Sequence, residues 1–142
     1  MKLFNDIEIS IEANLNNTKN LLKSLKSIGR LDDSEFDHSV FSNLLSHKIT
    51  DVRVEAVKNL GKIKKEEVQE LLIKHFNDEK DSVVRRECVS SIGRQRNPDR
   101  IPFFSETLKD EDPKIVLQGI RSLLVFKDRE EVKKALKTVK NH

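Results

Sequence analysis

The sequence predicts an all-α protein, a right-handed α-solenoid (superhelix) of about four antiparallel helix pairs with an extra N-terminal helix. Three observations carry that expectation: an apolar pattern recurs at a fixed period, the composition suits amphipathic helices, and helix-start signals fall at matching places in each copy.

The stretch VRVEAVKNLG (52–61) returns as VRRECVSSIG (84–93). Gly29, Gly61 and Gly93 recur every 32 residues, each after an aliphatic residue, Ile28, Leu60 or Ile92. Before these stand Leu25, Val57 and Val89, and then the small residues Ser24, Ala56 and Cys88. A fourth copy follows at a step of 31, where Ile115, Gly119, Ile120 and Leu123 replace Val84, Cys88, Val89 and Ile92. Apolar positions at i, i+4, i+5 and i+8 make one stripe of an α-helix, here termed helix A. The small residue inside the stripe lets a neighbouring helix come close. Charged residues reach 36% while aromatics are 5%, with no Trp or Tyr. That balance argues against a β-sandwich, whose strands favour aromatic and β-branched residues.

Taken in order, the N-terminal segment 1–16, with Leu3, Phe4, Ile7, Ile11 and Leu15, reads as a helix capping the first pair. Its Ile7, Ile9, Ile11 alternation leaves a strand as the alternative. Repeats then span 17–48, 49–80, 81–111 and 112–142, so that 1–142 reads as a single repeat domain. Thr18, Thr50, Asp81 and Asp112 are the expected N-caps of helix A, with Pro113 at a first helical position. Glycine is expected to close the first three copies in a left-handed conformation. A second helix, B, starts at Ser34 with Asp37, at Asn97 with Pro98, and at Asp128 with Glu131. Its apolar sets are Phe36, Val40, Phe41, Leu44; Val68, Leu71, Leu72, Phe76; Ile101, Phe104, Leu108; and Val132, Ala135, Leu136, Val139.

The pattern Asp-x-Val-Arg-x-x-Ala-x-x-x-Leu-Gly, followed by a turn, a helix and a closing Lys-Asp-Glu-Asp-Pro, is best matched at 51–61 and 81–93 and then by DEDP at 110–113, and resembles the short HEAT-like repeats named after phycobilisome lyases. The resemblance runs over about 17–142, and departs where Leu21 and Val116 stand at the arginine position. It implies a scaffold for macromolecular contacts rather than an enzyme. An accessory role in a bilin-lyase-like enzyme would follow from the same resemblance alone.

Individual residues narrow this further. Arg53 and Arg85 occupy the recurring arginine position and are expected to form a structural ladder between repeats. The A-to-B turns are basic: Arg30; Lys62, Lys64, Lys65; Arg94, Arg96, Arg100; Lys127, Arg129. The opposite edge is acidic, with Asp78, Glu79, Asp81, Asp110, Glu111 and Asp112. Helix dipoles account for both edges. Arg86, Arg94, Arg96 and Arg100 are nevertheless dense enough to be candidates for nucleic-acid or phosphate contact. Against that stand a net charge of only +3 and the absence of Tyr and Trp for base stacking.

In the fourth helix A, IVLQGIRSLLVF (115–126), apolar residues cover too wide an arc for one packed face. Leu117, Leu124 and Phe126 are therefore the candidate docking patch, for a partner protein, for a second copy of the chain or for further repeats of a longer chain, unless a long final helix B covers them. Helix B is expected to line a concave face carrying Glu66, Glu70, Lys74, Glu106 and Lys109. His38, His47, His75 and His142 never stand at i+3 or i+4, and the lone Cys88 reads as a small core residue. No catalytic, metal or cofactor constellation is expected. Asp6 and Glu8 interrupt the first apolar stretch, and no run reaches the roughly 18 residues of a membrane span. A cytoplasmic, non-catalytic protein-binding adaptor is the reading that results, with a nucleic-acid accessory protein as the alternative.

Overall fold

The computed structural model describes residues 2–31 and 37–139. Among them are nine α-helices and no strand: α1 (Lys2–Ala13), α2 (Thr18–Lys26), α3 (Ser39–Ser42), α4 (Thr50–Leu60), α5 (Glu66–Asp78), α6 (Ser82–Arg94), α7 (Ile101–Thr107), α8 (Pro113–Leu124) and α9 (Glu130–Lys137). The side chains of Leu3 and Phe4, and Ser34, Phe36 and His142 altogether, lie outside the described residues. No described helix is long and apolar enough to cross a membrane.

Helices α2, α4, α6 and α8 are the four copies of helix A, and each packs against the next. Helices α3, α5 and α7 are copies of helix B, each packed chiefly on the helix A that follows it. Helix α9 packs mainly on α7 and α8. One continuous core results, from Leu21 and Leu25 through Val52, Val57, Val84, Val89 and Ile115 to Leu123, with Phe41, Leu72, Phe104 and Val132 supplied by the B layer.

Burial decides the N-terminal segment. Ile7 and Ile11 are 8% and 2% exposed while Ile9 between them is 64% exposed. A strand would put all three on one face, whereas one helical turn unites the first and last.

Several helix ends differ from expectation. Thr18 and Thr50 are first helical residues, and the N-caps lie one residue earlier, at Asn17 and Ile49. The Asn17 side chain accepts from the Asn20 N–H at 3.1 Å. Asp81 and Asp112 do cap, accepting from the Val83 N–H at 2.8 Å and the Lys114 N–H at 2.9 Å. Helix α9 starts after Arg129 with no side-chain cap, so Asp128 does not serve there. The first helix B is not continuous: α3 passes into a 3-10 turn at Asn43–Ser46.

The glycines also act differently from the expected left-handed stops. Among the described residues no glycine has a positive φ; Gly61 caps α4 with φ −63° and α6 runs through Gly93 to Arg94. Their role is close approach. A Cβ on Gly61 would meet Ser91 Cβ at 2.6 Å and the Ser91 Cα at 3.2 Å. One on Gly93 would collide with Ser122 Oγ, and one on Gly119 with Thr107 Oγ1. Side chains also reach back to the preceding helix A and bond carbonyls near its C-terminus. Asn59 Nδ2 donates to Leu25 O at 3.1 Å, Lys62 Nζ to Ile28 O at 2.6 Å, and Gln95 Nε2 to Gly61 O. Carbonyls in the last turn have no partner within their own helix, so these bonds between repeats are well placed.

Gly29 has nothing within 4 Å of an added Cβ, and its φ is not positive. Gly29→Ala is therefore expected to leave stability unchanged or raise it by up to about 1 kcal/mol. Gly61→Ala forces a backbone shift and should cost roughly 1–3 kcal/mol. Chemical denaturation of the two variants beside the native chain measures the contrast; equal midpoints would remove close approach as the reason for Gly61.

Candidate functional site

Two arginines clamp the turns between repeats. Arg53 of α4 donates through Nε to Glu79 Oε1 at 2.9 Å, through Nη2 to Oε2 at 3.1 Å and through Nη1 to His47 O at 2.8 Å. Glu79 also accepts from the Asp81 N–H at 3.0 Å and from His75 Nε2 at 2.9 Å. Arg85 of α6 repeats the arrangement, with Nη2 on Asp110 Oδ2 at 2.8 Å while Asp110 Oδ1 accepts from the Asp112 N–H at 2.9 Å. Its guanidinium lies 4.4 Å from the Phe76 ring centroid. Each clamp thus holds the turn that opens the following helix A. Burial alone would push the Glu79 and Asp110 carboxyls up, but the arginine and backbone N–H bonds outweigh it, and both sit below the usual carboxylate range.

The remaining candidate arginines do not form one patch. Arg86 Nε donates to Ser82 O on its own helix at 3.2 Å. Arg100 is held by α5, with Nε on Gln69 Oε1 at 2.8 Å and Nη2 on Glu66 O at 3.3 Å. Arg94 pairs with Glu87 at 3.2 Å and also donates to Ser90 Oγ and Ser91 Oγ. Arg96 is exposed and has φ 53°. Arg94 and Arg96 line a groove together with Gln118, Arg121 and Val125, between the C-terminal ends of α6 and α8. Arg121 forms no ion pair among the described residues.

On α8, Leu117, Leu124 and Val125 are 44%, 48% and 43% exposed. Phe126 is half-buried against the core, with the Arg129 guanidinium 5.9 Å from its ring centroid. Phe126 is thus partly covered, with the residue that precedes α9 over its ring, while the leucines stay open. Val125 and Arg121 were missed by sequence reasoning. The repeat register held the signal, because Leu124 and Val125 fall where the previous copy has Gly93 and Arg94.

The helix B residues sit elsewhere. Glu66, Glu70 and Lys74 stand at successive turns of α5, all exposed, and Glu106 meets Lys109 at 3.3 Å in an exposed pair of small energetic weight. Cys88 is fully buried; burial first, then Glu79 and Glu87, push its thiol up to about 12, which leaves no thiolate for chemistry at neutral pH. The His75–Glu79 couple was also missed from sequence. It serves the Arg53 clamp, and no group of three or more potential metal ligands occurs among the described residues.

The clamps predict a pH dependence. A carboxyl held below its unfolded value stabilises the fold above that value and loses the contribution as pH falls through the lowered one. The melting temperature should therefore hold above about pH 5 and fall toward about pH 3. Arg85→Ala is expected to cost roughly 1–3 kcal/mol at neutral pH and to flatten the acid decline. Thermal melts across that range check both; an unchanged melting temperature for the variant would remove the clamp.

HEAT repeats match residues 14–93, which is more than half of the chain, and α8 and α9 continue the same alternation beyond them. No curated protein matches the chain. Repeats of this kind generally mediate contacts between proteins. With paired helices stacked through one continuous core over the matched segment and past it, the chain belongs to the HEAT-repeat family.

Proposed function

We propose that the protein is a non-catalytic adaptor, one repeat domain over 1–142, that binds another protein at the outer face of α8. The observation that carries this reading is the row of large apolar side chains left open there, Leu117, Leu124 and Val125. Every earlier helix A is covered by the next along the stack, whereas among the described residues no further helix A lies on the corresponding stripe of α8. A cytoplasmic setting is part of the reading, supported by one buried, unpaired cysteine.

The nucleic-acid alternative draws less support, since Arg86 is bonded to its own helix and Arg100 to α5, and both lie outside the groove that holds Arg94 and Arg96. No observation favours the bilin-lyase accessory role.

A photo-crosslinking amino acid placed at Leu117, and separately at Lys74, tests the adaptor in its native cells. Protein adducts from position 117 and few or none from position 74 are expected. Adducts to nucleic acid, or no protein adduct from position 117, would overturn the proposal.

A further inference from the structure

We infer that the α8 surface accepts an acidic amphipathic helix of a partner protein, its apolar side on Leu117, Leu124 and Val125 and its carboxylates on Arg94, Arg96 and Arg121. The inference rests on the adaptor reading and names the chemistry of what is bound.

The stripe itself selects a helix. Leu117, Arg121 and Leu124 follow one another at i, i+4 and i+7, the spacing by which one helix faces another. A further helix A in the same register is a poor fit. Gly61 and Gly93 each admit a serine of the next helix A, but the corresponding residue of α8 is Leu124, whose side chain fills that approach. The occupant must therefore sit further out, on side chains rather than on backbone.

Charge selects the sign. Arg94, Arg96 and Arg121 line the groove beside the leucines, and the carboxylate bonded among them is Glu87, shared with Arg94. Arg96 and Arg121 form no ion pair among the described residues. A partner helix bearing carboxylates would supply the missing counter-charges, while a twofold pairing of this face with itself would bring like charges together. The apolar row offers nothing to a phosphate backbone. Arg96 adds a further point: it occupies a left-handed conformation that costs a branched or long side chain roughly 1 kcal/mol and glycine almost nothing. A side chain with work to do in the groove gives arginine a use at that position.

Fluorescence anisotropy on the full chain tests this with a synthetic helix of about 18 residues, leucines along one side and glutamates beside them, against the same helix with lysines for glutamates. The acidic helix should bind about tenfold or more tightly than the basic one. Arg121→Glu should largely remove that preference. Leu117→Ser with Leu124→Ser should abolish binding with a fall of only a few degrees in melting temperature, since both side chains are about half exposed. Arg96→Gly should weaken binding several-fold while holding or raising the melting temperature. Equal affinity for the two helices, no binding of the acidic one, or indifference to Arg121→Glu would overturn the inference. So would a dimer by light scattering that dissociates in the double-serine variant, or tight binding of a single-stranded oligonucleotide lost on Arg94→Glu. If position 117 still crosslinks to protein while the acidic helix fails to bind, the chemistry of the occupant is wrong and the adaptor stands; if it does not crosslink, the adaptor itself falls.

Discussion

The distance between successive A helices is set by a backbone meeting a side chain. Ser91 lies against Gly61, and Ser122 against Gly93, with no room for a methyl group between them. At the α4–α6 junction this spacing accompanies the Gln95 bond to the Gly61 carbonyl, while at the α2–α4 junction Lys62 reaches the Ile28 carbonyl although Gly29 has open space around it, and both bonds close the stack at its C-terminal ends. At the opposite ends Arg53 and Arg85 bridge to Glu79 and Asp110, so the turns entering α6 and α8 are held by charge-assisted bonds. The basic and acidic edges are therefore working parts of the stack before they are surfaces for anything else.

What could be read from sequence follows from the range of the physics involved. The 32-residue period, the apolar stripes and the Asp81 and Asp112 caps are local, and each is legible within a single helix. The role of Gly61 is not local: it becomes visible only when Ser91, 30 residues on, is known to lie against it. The same holds for Arg100, which in sequence resembles a free cation and in the fold is captured by Gln69, 31 residues earlier. Thr18 and Thr50 misled because threonine suits both the cap and the first turn, and Asn17 was the better cap beside one of them. The wide apolar arc of α8 was legible as an anomaly. Which of its residues stay open depended on how far α9 reaches, and periodicity alone does not measure that.

The junction of α6 with α8 differs from the two before it. Lys62 and Gln95 tie the C-terminal ends of α2 and α4 to the following repeat. In the register of the fourth repeat those two positions hold Val125 and Phe126, neither of which has a side-chain donor. The Gly93 carbonyl, counterpart of the Gly61 carbonyl that Gln95 reaches, is instead met by the Arg96 N–H at 3.2 Å, in the right-handed turn through Arg94 and Gln95 that ends α6. Of Leu124, Val125 and Phe126, the first replaces the glycine that would seat a further helix A, while the other two replace the donors that would tie α8 back to α6. They leave a groove open beside Arg94, Arg96 and Arg121. With Leu124 in place of the glycine and arginines edging the apolar row, the face of α8 suits the side chains of a differently built neighbour better than the close backbone approach of a helix A in the same register, which is the physical basis of the proposed docking.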